Sequence, residues 1–366
     1  MTVTRSLQSR TVSGMIFRWL VGAVIGTTII GLTSPWFIRS YLPLSASAER
    51  GVWVLEPGQT YRWRSEGYAD TMIGPMGMPG RRSIAPVQRN SSRSLRVALW
   101  GDSQAEGVSV TDQNKLFAAI EQASNGNAVA FPLARSGENA ADWVTQMPRV
   151  ETALGIELHL LLIVDLEDLI SATEAPLPPP SEQDAVAAKN ALAKRLPAFV
   201  IQAARNLLTQ SDGMTPRELR FAIGPPEATP DAVDAKEPGD AIESMTDASQ
   251  STVDWASVLK AIDDATTLPI AVVYAPKVPM IVSGRIVRQS DTADEFETMK
   301  QVAASRGIHV IDVRNRLLES ADAGRWPHGF HNGQFGSGHL NADGNRVIAE
   351  SLNEFLMLMR ERPEPD

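Results

Sequence analysis

The sequence contains no cysteine, and its 366 residues include only five histidines and four tyrosines. Without thiols the chain can form no disulfide, and it can use neither thiolate catalysis nor cysteine metal ligands. The same absence means that the sequence carries no sign of its redox compartment. With so few histidines, the candidates for a histidine general base are reduced to a handful.

Basic residues are outnumbered by acidic ones, 34 against 43, so the formal net charge is −9. This balance argues against nucleic acid as the main partner. Neither of the glycine-rich phosphate-binding patterns occurs, so no nucleotide or other cofactor is expected. The three late histidines, His328, His331 and His339, form no helix-phased pair and have no carboxylate at a ligand spacing, so no metal site is expected.

A long uncharged run occurs near the amino terminus. Residues 19–38 form about twenty uncharged positions, enough to cross the hydrocarbon core of a bilayer as a helix. Trp19 and Trp36 lie near its two ends, where interfacial aromatic residues are favoured. The run therefore predicts a transmembrane helix that stays attached as an anchor. A cleavable signal peptide with a cleavage site at 46–48 is the competing interpretation.

The flanking charges predict how this helix is oriented. Three arginines and no acidic residue lie in residues 1–18. The positive-inside rule then places residues 1–40 as a cytoplasmic stub with the membrane anchor, and the rest of the chain outside the cytoplasm, in the cell envelope.

Beyond the anchor, the chain is predicted to have a lead-in and one main domain. Residues 41–94 are rich in glycine, proline, arginine and aromatic residues, which indicates an irregular lead-in with one or two short strands. From residue 95 apolar runs alternate with helical patterns, which predicts an α/β domain over 95–360 with a parallel sheet and helices on both faces. The predicted strands are 94–100, 128–133, 158–164, 269–274 and 308–313, and the predicted helices include 114–123, a helix through Trp143 and Met147, 253–267, 293–306 and 343–360.

The alternation is interrupted at about 171–252. This stretch is rich in proline, alanine, aspartate and serine and is predicted to be a poorly packed insertion. A helical pattern within it, at 185–209, is expected to kink or split at Pro197.

The first candidate for chemistry is Ser103 in Gly101-Asp102-Ser103. The motif directly follows a predicted strand and precedes a helical stretch, which places the serine at the carboxyl end of a strand, where open α/β sheets bind ligands. Backbone N–H groups at the start of a helix can stabilise a developing oxyanion. The alternative is that Ser103 simply caps the helix.

The second candidate is His339, in Gly338-His339-Leu340-Asn341-Ala342-Asp343-Gly344. A neutral imidazole near Ser103 could accept the hydroxyl proton and later return it to the leaving group. The alternative is a histidine that only hydrogen-bonds a loop carbonyl.

Together these motifs resemble the SGNH/GDSL hydrolase family over residues 95–170 and 265–357. The resemblance implies a three-layer, flavodoxin-like α/β fold with a central parallel sheet. It also implies Ser103 as nucleophile, His339 as base, and an oxyanion hole formed by the N–H groups of Ser103 and Gly137.

Two positions depart from the family pattern. The family's Gly-x-Asn-Asp reads Asp165-Leu166-Glu167-Asp168 here, so Glu167 occupies the position of an oxyanion-binding asparagine. An ionised carboxylate has no hydrogen to donate. Three alternatives are open: Glu167 is protonated, Glu167 turns away from the site, or Asn139 donates instead.

The second departure concerns the acid that orients the histidine. The family has an aspartate three residues before it, where this chain has Gly336. The sequence therefore leaves open which group orients His339, and a Ser103–His339 dyad oriented by a backbone carbonyl is one candidate. The neighbouring loop with His328, His331 and Asn332 is a candidate to shape the site.

These observations predict a membrane-anchored SGNH-type serine esterase acting on acetyl esters, with an O-acylated polysaccharide of the cell envelope as substrate class. One alternative is an O-acetyltransferase that modifies envelope glycans through the same dyad. The other is a scaffold or binding protein that keeps the fold without catalysis.

Overall fold

The computed structural model describes residues 4–40, 42, 44–85, 94–174, 200, 203, 253–289 and 292–361. The chain divides into two compact units, Met1–Ile201 with Trp255–Asp366, and Gln202–Asp254. The predicted insertion at 171–252, with its helix at 185–209, lies outside the described residues except for 171–174, 200 and 203. The elements below belong to the first unit.

The first element is the long helix α1, Thr4–Phe37. Its segment Gly14–Phe37 is long and apolar enough to cross a membrane, and the same length and composition would suit a signal sequence. Pro35 has no N–H to donate to the carbonyl of Gly31, and the Ser34 hydroxyl donates to that carbonyl instead, at 3.1 Å. The carbonyl of Gly31 is thus satisfied within the helix, as a bilayer would require.

The lead-in contains four short strands, more than the one or two expected. Strand β1 (Leu44–Ser47) pairs with β2 (Val52–Leu55), and β3 (Thr60–Trp63) pairs with β4 (Ala69–Met72), each pair antiparallel. Each strand has four residues. Strands this short show little alternation of polar and apolar residues, which is why the sequence understated their number.

The main sheet has five parallel strands: β5 (Leu95–Trp100), β6 (Ala128–Pro132), β7 (Leu158–Ile163), β8 (Ile270–Tyr274) and β11 (His309–Asp312). Their order across the sheet is β6-β5-β7-β8-β11. This is the flavodoxin-like order, so the predicted fold class is confirmed. The order reverses between β5 and β7, and ligands of such sheets bind at the carboxyl ends of the strands there.

The helices cover both faces of the sheet. Their bounds are α2 Ser103–Glu106, α3 Leu116–Ala123, α4 Ala140–Leu154, α5 Glu167–Ile170, α6 Trp255–Asp263, α7 Ala293–Ser305, α8 Arg314–Asp322 and α9 Ala342–Glu361. Helices α3, α8 and α9 share one apolar core with the strands, and α4 to α7 form a second group of contacting helices.

Two elements had no counterpart in the prediction. Helix α8 is strongly polar, with Leu317 and Ser320 as its buried residues, so it shows almost no apolar periodicity. Strands β9 (Met280–Val282) and β10 (Arg285–Val287) form a hairpin whose strands have three residues each.

The buried side chain of Arg50 attaches the lead-in to the main domain. Its guanidinium donates to the carbonyl of Leu133 at 2.6 Å and to Gln146 Oε1 at 2.8 Å. It also lies 3.4 Å from Glu138 Oε2, and the Glu138 side chain is fully buried. Because an unpaired buried charge is costly, this contact fixes the lead-in against the loop between β6 and α4.

Replacing Arg50 should therefore destabilise the whole unit. We expect Arg50→Met to lower the free energy of unfolding by about 3–5 kcal/mol, because it leaves the Glu138 carboxyl group buried without its partner. Urea unfolding of the detergent-solubilised chain measures the effect. Arg316→Met, which removes an exposed arginine paired with Glu319, is the control and should change stability by less than about 0.5 kcal/mol. Equal stability of the two variants would contradict the structural role of Arg50.

Candidate active site

Ser103 is presented by a sharp turn between β5 and α2. Gly101 has a φ of +153°, and a Cβ there would lie 2.6 Å from the Cβ of Ala105 and 3.0 Å from the carbonyl oxygen of Leu162. Only glycine fits this position. Asp102, not Ser103, is the N-cap of α2, because its Oδ1 accepts from the N–H of Gln104 at 2.9 Å. The Ser103 hydroxyl is therefore not needed as a helix cap.

His339 lies directly beside this hydroxyl. The distance from Ser103 Oγ to His339 Nε2 is 3.0 Å. The two residues are 236 positions apart in the sequence. At this separation the imidazole can accept the hydroxyl proton without further movement.

An acidic residue holds the other side of the imidazole, and it comes from the lead-in. Glu66 Oε1 lies 3.2 Å from His339 Nδ1 and also accepts a hydrogen bond from the backbone N–H of His339. A carboxylate at Nδ1 favours the tautomer with the proton on Nδ1, which leaves Nε2 free to accept. The sequence had left the orienting group open, and in the structure a carboxylate rather than a backbone carbonyl contacts Nδ1, so that Glu66, His339 and Ser103 are in continuous contact.

The usual position of the acid is sterically closed. Gly336 has a φ of +73°, and a Cβ there would lie 2.8 Å from Ile281 Cγ1 and 3.0 Å from Trp326 Cζ3. A side chain of any kind at residue 336 would have to displace these neighbours. Glu66, from the lead-in, supplies the carboxylate instead.

The loop before His339 is shaped to admit Glu66. Gly338 has a φ of +79°, and a Cβ there would come within 2.4 Å of Glu66 Oε1. Asn332 holds the turn that carries Glu66, because its Oδ1 accepts from the N–H of Gly67 at 2.8 Å. Of the three loop residues singled out from the sequence, Asn332 thus acts on the acid.

The charge state of Glu66 follows from these contacts. Burial alone would raise the pKa of Glu66, but the hydrogen bonds and charge of His339 outweigh it, so the pKa of Glu66 is lowered. The carboxyl group is therefore ionised at neutral pH, as an imidazole-orienting group must be.

His328 and His331 have different positions. His331 is exposed, and its ring contacts that of Phe335. His328 is buried, and burial, together with the positive charges of Lys277 and His339, lowers the pKa of His328 to about 4. His328 is thus neutral at neutral pH, and its carbonyl accepts from the N–H of Gly336 at 3.1 Å, which helps to hold the loop before His339.

Two further side chains, those of Gln104 and Asn341, hold the loop that carries His339 close to Ser103. Gln104 Oε1 accepts from the N–H of Leu340 at 2.8 Å, which joins the residue after the serine to the residue after the histidine. Asn341 donates through Nδ2 to the carbonyls of Trp326 and Gly329 and accepts through Oδ1 at the start of α9. The motif after the histidine is thus a support for its loop.

The loop with Gly137 lies against the serine segment. The N–H of Arg135 donates to the carbonyl of Gly101 at 3.3 Å, and the N–H of Ser136 donates to Glu106 Oε2 at 3.1 Å. Gly137 has a φ of +80° and is exposed. Its N–H and that of Ser103 remain the predicted oxyanion donors.

The two other predicted positions differ in what they can contribute. Asn139 is the N-cap of α4, and its Oδ1 accepts from the N–H of Ala141 at 3.1 Å, so only its NH₂ group is available to donate. Glu167 is the exposed first residue of α5.

A group of acidic residues lies at the carboxyl ends of β5 and β7. Burial and the nearby charges of Asp102 and Asp165 raise the pKa of Asp168 to about 7, while Lys277 acts in the opposite direction. Lys277 Nζ lies 3.5 Å from Asp165 Oδ2. Among the described residues no group of three or more histidine and acidic side chains is arranged to hold a metal ion.

Glu66 is the residue that the sequence did not reveal. It is one of four acidic residues in the lead-in, with Glu49, Glu56 and Asp70. No spacing relates it to His339, which follows 273 positions later. The only local sequence feature that could have drawn attention to Glu66 was its position in the polar turn Ser65-Glu66-Gly67 between two short strands.

Comparisons with known proteins found similar structures but no similar sequence. The sequence matches no protein-family model and no curated protein sequence. The structure is similar to a protein of the G-D-S-L family described as lipolytic from Desulfitobacterium hafniense, with 12% identity, a TM-score of 0.33, and coverage of 71% of this chain and 99% of that one. It is also similar to a carbohydrate acetylesterase family member from Sinorhizobium meliloti, with 11% identity, a TM-score of 0.35, and coverage of 73% and 100%. A family 3 carbohydrate esterase from Clostridium thermocellum has 8% identity, a TM-score of 0.32, and coverage of 73% and 98%.

The first prediction for the site concerns Glu66. We expect Glu66→Gln to lower the reactivity of Ser103 toward a fluorophosphonate probe by on the order of 10²–10⁴, because the amide neither fixes the tautomer nor stabilises the imidazolium. The rate of covalent labelling measures this. Glu56→Gln, which changes another acidic residue of the lead-in, is the matched control and should label at the normal rate. Normal labelling of Glu66→Gln would exclude Glu66 from the site.

The second prediction concerns Asp168 and pH. The pKa of Asp168 is raised in the folded chain to about 7, so the folded state holds this proton more tightly than the unfolded state. Ionising it between about pH 4 and pH 7 therefore costs stability. We expect Asp168→Asn to stabilise the chain at pH 8 more than at pH 5, by about 1–2 kcal/mol after allowing for its partial exposure. Urea unfolding at both pH values tests this, with Glu167→Gln as control. A gain independent of pH would contradict it.

Proposed function

We propose that this protein is a membrane-anchored serine esterase that uses Ser103, His339 and Glu66. The observation that carries the proposal is the continuous line of contacts from Ser103 Oγ to His339 Nε2 at 3.0 Å and from His339 Nδ1 to Glu66 Oε1 at 3.2 Å. A hydroxyl, an imidazole and a carboxylate in this order form an activated nucleophile. This arrangement favours catalysis over the alternative of a scaffold.

In the acylation step, Ser103 Oγ attacks the ester carbonyl carbon while its proton moves to His339 Nε2. The oxyanion that forms is stabilised by the backbone N–H groups of Ser103 and Gly137. The carbon–oxygen bond to the leaving alcohol then breaks, and His339 returns the proton to that alcohol. Glu66 remains ionised and stabilises the imidazolium between these two transfers.

In the second step, water attacks the acyl-enzyme. His339 accepts a proton from the water, and it returns this proton to Ser103 Oγ as the bond between the acyl group and Oγ breaks. The products are a carboxylic acid and the regenerated serine. If a sugar hydroxyl replaces water, the same chemistry transfers the acyl group, so transfer and hydrolysis share one site.

Two contacts support an anchor that is retained over a cleaved signal peptide. The candidate cleavage site at 46–48 overlaps β1, which pairs along its whole length with β2. The Ser47 side chain is buried and hydrogen-bonded to the N–H of Arg50. Cleavage after Ala48 would remove the whole of β1, including Ser47, which contacts Arg50. The arginine-rich amino terminus supports placing the catalytic domain outside the cytoplasm.

The proposed substrate class is a short-chain acyl ester, with acetylated polysaccharide of the cell envelope as its setting. This class follows from the resemblance of the motifs and the proposed location. No cofactor is needed for either step, because proton transfer and oxyanion stabilisation are supplied by the chain's own groups.

The test is ester hydrolysis by the full chain in detergent. We expect release of acetate from 4-nitrophenyl acetate, and a loss of at least about 10³-fold in kcat/KM in Ser103→Ala. Ser109→Ala, at a second serine near the same segment, is the control and should retain activity. Failure of the wild-type chain both to hydrolyse the ester and to react with a fluorophosphonate would favour the non-catalytic alternative. Appearance of acetyl-sugar rather than acetate when a glycan acceptor is added would indicate transfer.

A further inference from the structure

The end of the apolar helix is in direct contact with the segment that carries the catalytic acid. Arg64 Nε donates to the carbonyl of Pro35, in the last turn of α1, at 3.3 Å. The Pro35 carbonyl lies within the candidate membrane span Gly14–Phe37. Arg64 is followed two residues later by Glu66. The acid is therefore adjacent in sequence to a side chain that touches the span itself.

A second set of contacts fixes the chain just after the helix. The N–H of Ser40 donates to the carbonyl of Arg62 at 2.9 Å, and the N–H of Arg62 donates to Ser40 Oγ at 2.7 Å. Ser40 is buried. The helix end is thus held against β3 by reciprocal hydrogen bonds, not joined to the domain through an open linker.

The third contact reaches the catalytic histidine. Trp63 lies between the two parts: the Arg39 guanidinium is 5.3 Å from the centre of its ring, and the His339 ring is 6.4 Å away in an edge-to-face arrangement. One indole ring therefore separates the first residues after the span from the proposed base.

The end of the membrane span sets the level of this region relative to a bilayer. The polar headgroup layer adds about 5–8 Å on each side of a hydrocarbon core about 30 Å thick. Trp36 is 66% exposed at the end of the helix, the place where interfacial aromatic residues lie. Tyr68 is 56% exposed, and the Arg64 guanidinium lies 5.6 Å from its ring. The turn that carries Glu66 thus presents an exposed aromatic residue next to the helix end.

We propose that the catalytic centre works at the bilayer surface and takes its ester from a membrane-resident, lipid-tailed molecule. The rigid link consists of residues 35–40 and 62–68. It holds the triad at the level of the headgroups in one orientation, so an ester that projects from the membrane meets Ser103 without a search in solution. This inference rests on the proposed esterase function and adds the location and the carrier of the substrate.

The first test measures position and does not depend on activity. Because the chain has no cysteine, Tyr68→Cys gives a single labelling site, and Glu319→Cys on α8 gives a matched exposed control. We expect a fluorophore at residue 68 of the full chain in phosphatidylcholine vesicles to be quenched by lipids that carry a spin label on the headgroup. The fluorophore at residue 319 should be quenched several-fold less. Equal quenching at the two positions would overturn the proposal.

The second test separates the link from the chemistry. A Gly-Ser-Gly-Ser-Gly-Ser segment inserted between Phe37 and Ile38 releases the helix from β3 and leaves the triad intact. The control is the same segment inserted between Arg306 and Gly307, just before the edge strand β11. Two acetyl esters serve as probes in the vesicles: 4-nitrophenyl acetate, and an analogue with a hexadecyl chain on the ring that partitions into the bilayer.

We expect the wild-type and control chains to prefer the membrane-resident ester. The insertion after Phe37 should lower kcat/KM for that ester by about tenfold or more, because the orientation of the site is lost. It should change kcat/KM for the soluble ester by less than about twofold. An unchanged ratio of the two esters after insertion, or faster turnover of a soluble acetylated polysaccharide by all three chains, would overturn the inference and leave the esterase function standing. Lack of turnover of both esters by the wild-type chain would overturn the esterase function and the inference with it.

Discussion

The hydrogen bonds between Glu66 and His339 are the contact on which the rest of the site depends. They join a turn of the lead-in to a loop near the carboxyl terminus, and they determine the orientation of the imidazole relative to Ser103. Neither the turn with Glu66 nor the loop with His339 fixes the orientation of the imidazole by itself. The lead-in is therefore not an accessory to the α/β domain, because it contributes the third member of the proposed triad.

The lead-in supports the other half of the site as well. Arg50 contacts the buried Glu138 carboxylate in the loop between β6 and α4. Glu106, also buried, accepts from the N–H of Ser136 in the same loop. Buried charges of this kind are weak evidence for stability but strong constraints on geometry, since each must keep its partners. The loop that carries Gly137 is thus fixed from two sides.

The parts of the structure that could be predicted from the sequence are those encoded by local patterns. The apolar runs of β5 and β7 and the glycine turn before Ser103 carry their signal within a few residues. The prediction that Ser103 and His339 meet rested on their motifs, which resemble those of the SGNH/GDSL hydrolase family, and on their order along an α/β chain. The position of Glu66 could not be predicted, because its contact depends on how two irregular segments pack 273 positions apart. The polar helix α8 and the short hairpin after β8 were missed because neither buries enough apolar residues to show a period.

The glycine at residue 336 has a consequence for how such a site can change over time. Its left-handed backbone and the close packing of Ile281 and Trp326 mean that an aspartate introduced there would first have to reshape two neighbouring segments. Glu66, meanwhile, already occupies the partner atom of the imidazole. A single substitution is therefore not expected to transfer the role of the acid from Glu66 to residue 336. The new aspartate would disturb the loop before His339, while Nδ1 of the imidazole already has Glu66 as its partner.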